Sequence, residues 1–355
     1  MFVLQVASVK GSGGIATAVA HYERMFRSVG VRSAVLFRGP SFESLRAGGS
    51  DMIAAPRLLT SPLSAFAPEL SRVRTAVLER AGSDTLAVIV HSDRALPALR
   101  RMFSRACMIT PCHSDKLKHK AHADLVVTLN PAQQALALTA FPGKRIRELG
   151  NPFAPVAGSR GPNWDEDAGG RVRANFLGRL EGFKDPMTAL KAFAAADLPP
   201  HAEMRVIGTG PLEAELRTFA ATSARPIDFA GWLEAPFSHF GQGDLLVLPS
   251  TWESYSYVVR EALQYGVPIV ASDIMVHRDA LGGGAFGALF PPGDSAGLAR
   301  TLEAAFADLP GRRAKAELGR EALLARYGPD PFWRELSSEI ERLPGCDASL
   351  ASRTE

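Results

Sequence analysis

Short runs of apolar residues alternate along this chain with segments whose apolar residues recur at helical spacing. The first run covers residues 2–6, and helical spacing of apolar residues follows between Ile15 and Phe26. Further runs of three to five residues cover 35–37, 86–90, 108–110, 125–129, 174–177, 204–207, 227–231, 245–248 and 269–271. Strands that alternate with helices indicate an α/β chain built on doubly wound parallel sheets.

Capping residues mark several helix boundaries. Asn130 precedes Pro131, and Asp185 precedes Pro186, so each pair combines a good N-cap with proline at the first helical position. Gly266 is a typical C-terminal cap for the helix before it. The helices predicted in this way and from apolar spacing are 131–141, 186–193, 256–265 and 329–343.

The length of 355 residues exceeds that of one compact core and suits two domains. Residues 154–171 lose the hydrophobic periodicity and gather glycine, proline and acidic residues, which favours a domain boundary there. Asp165, Glu166 and Asp167 lie in this stretch, and we interpret them as a solvated run of charge rather than a metal site.

Composition is that of an ordinary globular protein, with 46% hydrophobic and 22% charged residues. No apolar run reaches the length of a membrane span, and the run at residues 2–6 is too short for a secretory signal. The three cysteines give an odd count and no disulfide framework, which fits a reducing compartment. We therefore expect a cytoplasmic protein.

Charge is unevenly divided between the two halves. Residues 1–150 hold 20 Lys and Arg against 10 Asp and Glu, whereas the remainder holds 20 against 27, so the net charges are +10 and −7. This asymmetry favours an N-terminal half that meets anions. Basic residues are dense between Arg94 and Lys120. The apolar residues at helical spacing in that segment are Leu96, Leu99, Met102 and Phe103. The segment fits either a helix on an anionic membrane surface or an ordinary helix with a solvated charged face.

The stretch from Asp244 to Asp273 reads as strand, loop, helix, turn and strand. Glu253 lies in the loop at the carboxyl end of the first strand, and Glu261 lies about one turn inside the helix. Ligands of open α/β sheets bind at the carboxyl ends of strands, and a helix N-terminus favours an anion. Two acidic acceptors beside an anion-binding helix start suit a ligand with both hydroxyls and phosphates.

This stretch resembles the signature of retaining glycosyltransferases of the GT-B fold, specifically glycosyltransferase family 4. The residues that match are Pro249, Ser250, Glu253, Glu261, Ala262, Gly266, Pro268 and Val270. The alternative is a surface helix with two solvated glutamates. The resemblance implies two Rossmann-like doubly wound parallel-sheet domains with the donor cleft between them.

The same resemblance implies the domain boundaries. The N-terminal, acceptor-side domain is expected over 1–155, a linker over 156–171 and the nucleotide-sugar domain over 172–328. A terminal helix over 329–343 is expected to cross back to the first domain, and the tail over 344–355 is expected to be disordered.

Cations and glycines of the second half extend the resemblance. Arg179 and Lys184 lie between a strand end and a helix start, where cations can clamp a diphosphate. Gly208 and Gly210 match a family turn from strand to helix, and Trp232 lies where the family holds the nucleobase. The segment 287–294 also matches.

In the first half, Gly13 and Gly14 lie in a glycine loop between the first strand and the first helix. Glycines let backbone amides approach a phosphate, although a plain tight turn is the alternative. In the family this loop faces the donor diphosphate and the acceptor. His91 and His113 each follow a predicted strand; the family keeps an active-site histidine at the second position, which assigns His113 to the site, with an ordinary loop histidine as the alternative.

A metal site is not expected. Cys112, His113, His119 and His122 fit no zinc spacing. Two departures from the family lie near the donor sugar and leave its identity open. The loop after Glu253, at 254–257, lacks the usual glycines. The segment 274–279 also lacks the usual glycine and places Asp279 where glutamate is common.

The resemblance implies transfer of a sugar from a nucleoside diphosphate to a hydroxyl, without cofactor or metal. Arg179 and Lys184 would stabilise the leaving diphosphate, Glu253 would hold sugar hydroxyls, and His113 completes the catalytic set. Donor-binding residues are expected to be Gly13, Gly14, Gly208, Gly210, Trp232, Ser254, Tyr255, Ser256 and Glu261.

The expected acceptor is a glycan or lipid-linked saccharide in polysaccharide, lipopolysaccharide or glycolipid assembly, with an anionic membrane surface as a further partner and no nucleic acid. Peripheral attachment to the inner face of the cytoplasmic membrane would follow. The rival hypotheses are a non-catalytic nucleotide-sugar-binding protein, a sugar-nucleotide epimerase of the same fold and an NAD-dependent oxidoreductase; the last lacks the dinucleotide fingerprint.

Overall fold

The structure of the chain is a computed structural model that describes residues 1–8, 13–38, 46, 48–56, 68–155, 161–164 and 172–343. The chain divides into two compact units. Unit 1 comprises Met1–Ala154 and the C-terminal segment from Arg326, and unit 2 comprises Pro155–Ala325. The predicted charge run at 165–167, most of the predicted linker and the predicted tail from residue 344 lie outside the described residues.

Unit 1 contains a parallel sheet of seven strands in the order β3-β2-β1-β4-β5-β6-β7. The strands are β1 Phe2–Ser8, β2 Arg32–Arg38, β3 Met52–Ala54, β4 Leu86–Val90, β5 Cys107–Pro111, β6 Leu125–Thr128 and β7 Arg145–Glu148. The helices of the N-terminal segment are α1 Gly14–Ser28, α2 Pro68–Ala81, α3 Leu96–Met102 and α4 Pro131–Ala140. The predicted α/β class with parallel order is confirmed here, because β1 pairs with both β2 and β4 and the chain crosses over between them.

Unit 2 contains a parallel sheet of six strands in the order β10-β9-β8-β11-β12-β13. The strands are β8 Arg173–Leu177, β9 Glu203–Ile207, β10 Ile227–Gly231, β11 Asp244–Leu248, β12 Ile269–Ser272 and β13 Ala288–Phe290. The helices from here on are α5 Pro186–Ala195, α6 Glu213–Ala220, α7 Tyr257–Gln264, α8 Met275–Ala280, α9 Ser295–Phe306, α10 Leu309–Tyr327 and α11 Pro329–Glu341. The strand order reverses beside β8, so the loops after β8 and β11 meet at one edge of the sheet, where open α/β sheets bind ligands.

The predicted caps form as expected. The side chain of Asn130 accepts a hydrogen bond from the Gln133 N–H at 2.9 Å, with Pro131 at the first helical position of α4. Asp185 caps α5 in the same way and adopts a left-handed conformation with φ 48°. Gly266 follows α7 with φ 64°, a conformation that favours glycine. These residues set where the helices beside the site begin and end.

The C-terminal helix α11 packs within unit 1 through aromatic contacts. The ring of Phe332 lies edge-on to Tyr22 of α1 at 5.8 Å, and the ring of Trp333 lies edge-on to Phe26 at 5.6 Å. Arg145 of β7 pairs with Glu339 of α11 at 2.6 Å. Burial of these rings stabilises the attachment of the helix to α1.

The basic segment after β4 forms a short helix whose apolar face is internal. Leu96, Leu99 and Phe103 belong to the buried core of unit 1, and Met102 packs against that core. Arg100 pairs with Asp124 at 2.6 Å. Because the apolar side chains pack inside the protein, the interpretation of this segment as a membrane-surface helix is wrong, and the alternative of an ordinary helix with a charged outer face is the correct one.

The described helices include none that is both long and apolar enough to cross a membrane. Cys112 is a buried free thiol, and burial raises its pKa to about 11. Cys107 takes part in a disulfide, which the odd cysteine count did not lead us to expect.

A buried ion pair joins the starts of β8 and β11 in unit 2. Arg173 donates to both carboxylate oxygens of Asp244, at 2.6 and 2.8 Å, and their side chains are 2% and 1% exposed. Asp244 also accepts from the Asn175 amide at 2.9 Å and from the Gly241 N–H at 2.6 Å. Each carboxylate oxygen therefore has two donors, as a buried charge requires.

Candidate active site

The loop between β8 and α5 carries the two predicted cations. Lys184 immediately precedes Asp185, the N-cap of α5, and its stem packs beside Gly178, since a Cβ on that glycine would lie 3.7 Å from Lys184 Cδ. Arg179 lies on the exposed part of the loop, with 64% of its side chain in solvent. Lys184 is therefore held in place by packing, whereas Arg179 is accessible to an anion from solvent.

Lys184 hydrogen-bonds the carboxylate of Glu253, which follows β11. Ser250 donates its hydroxyl to the same oxygen, Glu253 Oε1, at 3.1 Å. The two charged side chains are only 13% and 11% exposed. The structure thus brings together three of the residues that the sequence singled out, at the carboxyl ends of two neighbouring strands.

Arg179 pairs with Glu181 of its own loop at 2.6 Å. Its guanidinium also lies over the ring of Phe183, with Cζ 5.4 Å from the ring centroid, and Phe183 meets the exposed Trp252 edge-on. An exposed ion pair contributes about 0–1 kcal/mol, so an anionic ligand can replace Glu181 at little cost.

Gly208 and Gly210 have a structural reason to be glycine. A Cβ on Gly208, whose φ is 135°, would lie 1.9 Å from the carbonyl oxygen of Gly178, and one on Gly210 would lie 2.5 Å from that of Leu180. Leu180 N–H donates to the Thr209 carbonyl at 3.0 Å. The loops after β8 and β9 are therefore packed backbone against backbone, and whether these glycines also contact a donor stays a prediction.

Arg260 of α7 organises the loop that precedes this helix, and the sequence did not single it out. Its guanidinium is buried, donates to the carbonyl of Tyr255 and lies 3.6 Å from the centroid of the Tyr255 ring. Asp279 lies 3.9 Å from it. Tyr255 and Ser256 are buried, so a ligand at this loop would meet the backbone rather than those side chains.

The side chain of His277, in α8, joins the ends of β11 and β12 from inside. Its Nδ1 lies 3.0 Å from the Ser272 carbonyl oxygen, and its Nε2 lies 3.3 Å from the Ser256 hydroxyl. Ser272 donates to the Ser250 carbonyl. Ser256 itself has φ 52°, so His277 supports a left-handed residue at the start of α7. Burial lowers the pKa of His277 to about 4.

Acid should destabilise unit 2 through His277. Its pKa is about 4 in the folded chain against 6.5 for an ordinary histidine, so between these values the unfolded chain binds more protons. The free energy of unfolding should therefore fall as pH drops from about 6.5 to 4, with a slope of up to roughly 1.4 kcal/mol per pH unit from this group. Urea unfolding at pH 7, 6 and 5 measures the slope. In His277→Asn this slope should be smaller by the contribution of the one proton that His277 binds on unfolding. His201→Asn, at the exposed surface, serves as the control and should keep the wild-type slope. An unchanged slope in His277→Asn would contradict the prediction.

Trp232 and Glu261, the other predicted side chains of unit 2, follow the carboxyl ends of strands β10 and β11. Trp232 follows β10 and is 69% exposed, so its ring is available to a ligand. Glu261 lies in the second turn of α7 and is half-buried. The contact of either residue with a nucleotide stays a prediction.

Gly13 and Gly14 lie at the N-terminus of α1 in unit 1, where Gly13 is the N-cap and Gly14 the first helical residue. No atom of the described residues lies within 4 Å of a Cβ on either glycine, and Gly13 has φ 177°, which any residue adopts. Neither packing nor backbone conformation requires glycine here.

Alanine at Gly13 or Gly14 should therefore separate ligand binding from folding. The melting temperature should not fall, because alanine fits and favours a helix over glycine. If the amides approach a diphosphate, the added methyl groups should raise the Kd of a nucleoside diphosphate roughly tenfold, or about 1.4 kcal/mol. Titration calorimetry measures the change. Gly182→Ala, which also meets open space, is the control. Unchanged affinity in both variants would leave the loop as a plain turn.

His113 follows β5 and hydrogen-bonds a second histidine. Its Nε2 lies 2.9 Å from Nδ1 of His91, and the two rings lie nearly parallel. Burial lowers the pKa of His113 to about 3, with the charge of Lys120 acting in the same direction. Both imidazoles are therefore neutral at pH 7. Across the described ranges, no group of three or more His, Cys, Asp or Glu is placed to hold a metal ion.

Comparison with known proteins identifies a family domain in the second half of the chain. Residues 171–308 match the model of the family described as glycosyl transferases group 1. The chain is 30% identical over 224 residues to 2-deoxystreptamine N-acetyl-D-glucosaminyltransferase of Streptomyces fradiae, covering 60% of this chain and 52% of that protein. It is 31% identical over 156 residues to phosphatidyl-myo-inositol mannosyltransferase of Mycobacterium leprae, covering 43% and 40%. The chain thus spans about half or less of the length of these relatives.

Solved structures match the fold of the whole chain. Anabaena HepE in complex with UDP and glucose superposes with a TM-score of 0.75 at 17% identity, over 97% of this chain and all of that one. Sucrose-phosphate synthase of Thermosynechococcus elongatus gives a TM-score of 0.68 at 17% identity, over 96% and 98%. The two parallel-sheet units have the GT-B fold, and residues 171–308 are a domain of the glycosyl transferases group 1 family.

Proposed function

We propose that this protein transfers a sugar from a nucleoside diphosphate sugar to a hydroxyl acceptor, with retention of configuration and without a metal ion. The observation that carries the proposal is the partly buried Lys184–Glu253 pair, with Ser250, after β8 and β11 of the group 1 domain. A cation that binds an anion and an acid that binds hydroxyls lie side by side, as a sugar diphosphate requires.

The leaving group gains negative charge as the glycosidic bond breaks, so stabilising the diphosphate is the main electrostatic task. An ammonium group has three donors, so Lys184 can bind a phosphate oxygen while it keeps Glu253. Arg179 would exchange Glu181 for the phosphate and bind it through two N–H groups. These two cations take the place of a divalent ion.

The other roles follow the predicted assignment. Glu253 would accept hydrogen bonds from sugar hydroxyls, Glu261 from the ribose, and Trp232 would stack on the base. The backbone of the 254–256 loop would line the sugar. His113 and the Gly13–Gly14 amides belong to unit 1. They would act in the same reaction, His113 in catalysis and the two amides in binding the donor diphosphate.

The substrates of similar proteins narrow the choice of donors to test first. Anabaena HepE has been crystallised with UDP-glucose, and the Streptomyces and Mycobacterium relatives are named for N-acetylglucosaminyl and mannosyl transfer. UDP and GDP sugars are therefore the first donors. We propose a glycan or lipid-linked saccharide as acceptor, used in polysaccharide or glycolipid assembly at the cytoplasmic face of a membrane.

The experiment begins with a thermal-shift panel of nucleoside diphosphates and their sugars, since a ligand of the folded state raises the melting temperature. Each stabilising donor is then incubated with candidate acceptors, with and without EDTA, and the anomeric configuration of the product is read by NMR. An α-linked product from an α-linked donor, formed in EDTA, is expected. Stabilisation without turnover against any acceptor would favour the non-catalytic binding protein, and absence of stabilisation by every nucleotide would contradict both.

A further inference from the structure

A continuous chain of buried hydrogen bonds leads to His113 from the interior of unit 1. Glu23 of α1 accepts from the Gln5 amide at 2.6 Å, and the Gln5 carbonyl oxygen lies 2.8 Å from Nε2 of His91. Nδ1 of His91 lies 2.9 Å from Nε2 of His113. Gln5, Glu23 and His91 are 0%, 5% and 3% exposed, so water does not compete for these bonds.

The order of donors along this chain is fixed at Glu23. Besides Gln5, its carboxyl group meets the Ser33 hydroxyl at 3.4 Å and the Ser50 hydroxyl, and the charge of Arg27 lies nearby. The pKa of Glu23 is raised above its usual range, mainly by burial, although these hydrogen bonds and this charge act in the opposite direction. The amide nitrogen of Gln5 faces Glu23 and its carbonyl oxygen faces His91, so Gln5 donates to Glu23 and accepts from His91.

The tautomers of both histidines follow. A carbonyl oxygen accepts, so His91 must carry its proton on Nε2, and the neutral ring then has a lone pair on Nδ1. His113 must therefore donate from Nε2 to His91. Since His113 is also neutral, its Nδ1 keeps a lone pair, and no residue in the described part of the chain hydrogen-bonds that atom.

We propose that Glu23 is a positioning residue: through Gln5 and His91 it holds His113 in the Nε2–H tautomer, so that Nδ1 accepts a hydrogen bond from a hydroxyl of the sugar substrate. The identity of the hydroxyl rests on the proposed function; the tautomer does not. If Glu23 could donate instead, every bond of the chain would reverse, and His113 would present an N–H where the ligand needs an acceptor.

Two-bond ¹H–¹⁵N correlation NMR of the histidine-labelled full chain distinguishes the two tautomers, because the protonated and unprotonated ring nitrogens differ widely in chemical shift. We expect His91 and His113 to be Nε2–H at pH 7 in the wild type. In Glu23→Gln the side chain can accept or donate, so a measurable share of His113 should change to Nδ1–H. Ser33→Ala removes a hydroxyl that contacts the other Glu23 oxygen and should leave both tautomers unchanged.

Gln5→Met provides a second break in the same chain, with similar side-chain volume, if Glu23→Gln does not fold. In Gln5→Met, too, a measurable share of His113 should carry its proton on Nδ1 instead of Nε2. A wild-type His113 with its proton on Nδ1, or a tautomer unchanged in the folded variants of both Glu23 and Gln5, would overturn the proposal.

Kinetics provides the separate functional arm. With an active donor and acceptor pair, kcat/KM of Glu23→Gln should fall in proportion to the fraction of His113 in the wrong tautomer, and that of Ser33→Ala should not change. Failure of every variant and of the wild type to turn over would count against the proposed function and leave the NMR result standing. If Glu23→Gln shifts His113 away from the Nε2–H tautomer but keeps full activity, Nδ1 of His113 does not accept a hydrogen bond from the substrate.

Discussion

Lys184→Ala is expected to lower kcat/KM of sugar transfer about 10²–10³-fold, the loss seen when one donor to a developing anion is removed. Lys184 is the less exposed of the two cations of the site, and its ammonium hydrogen-bonds Glu253. The variant removes the positive charge from the leaving diphosphate, and among the described residues only Ser250 would still donate a hydrogen bond to Glu253. Both effects act in the same direction, so kcat should fall more than KM rises.

Initial rates at varied donor concentration measure this effect, and a thermal melt shows that the variant is folded. Lys191→Ala is the matched control, since Lys191 is an exposed lysine on α5, the helix that follows Lys184. Its kcat/KM should equal that of the wild type. Turnover of Lys184→Ala within threefold of the wild type would exclude Lys184 from the role proposed for it.

Asp244→Ala is expected to destabilise unit 2 by about 3–5 kcal/mol, the cost of leaving one partner of a buried ion pair alone. Arg173 would keep its charge inside the protein, and within the described part of the chain only the His239 carbonyl, at 2.8 Å, would still accept a hydrogen bond from it. The Asn175 amide and the Gly241 N–H would lose an acceptor as well. The pair connects the starts of β8 and β11, whose opposite ends carry Lys184 and Glu253.

Chemical denaturation measures the loss, and a second Asp–Arg pair of the same sheet offers the control. Asp228 lies 3.8 Å from Arg205 but is 67% exposed, so Asp228→Ala should cost no more than about 1 kcal/mol. Equal losses in the two variants would mean that burial does not decide the strength of these pairs.

The sequence predicted the strands and the position of the site well because both depend on local pattern. Nearly all predicted strands are apolar runs buried on both faces, as in β1 and β11, and such runs are unambiguous in a parallel sheet. Three strands, β3, β13 and β7, were not predicted, since each buries only one residue, which in β7 is Ile146. The place of β7 at the edge of the sheet leaves its other side chains in contact with solvent, with α11 or, for Glu148, with Arg326 of α10.

The pairing of Lys184 with Glu253 could not be predicted, although both residues were. It joins positions 69 residues apart and depends on β8 lying next to β11, a consequence of strand order rather than of local sequence. Arg260 and His277 were missed for another reason: a polar side chain within a helix pattern predicts exposure. The one available signal for Arg260 was its place between Val259 and Ala262, both of which are buried.

The membrane-helix interpretation of the basic segment failed because periodicity shows that one face is apolar but not what covers it. Leu96 and Leu99 have the spacing of a surface-binding helix, yet they complete the core beneath the sheet. Ion pairs such as Arg100–Asp124 fix the charged face against the protein. Burial of an apolar face by the chain's own sheet is the commoner outcome for a short helix.

The contact between Gly208 and Gly178 limits how this protein can be redesigned. A library meant to change donor preference would naturally randomise every residue near Lys184, but any side chain at Gly208 would collide with a carbonyl oxygen at 1.9 Å. Most members mutated there would be lost before selection for a new sugar began. Gly182 can vary without that loss because a Cβ there meets none of the described residues, and Trp252 can vary because its side chain is exposed. Diversity is therefore best placed on the solvent side of the loop, with its backbone contacts kept.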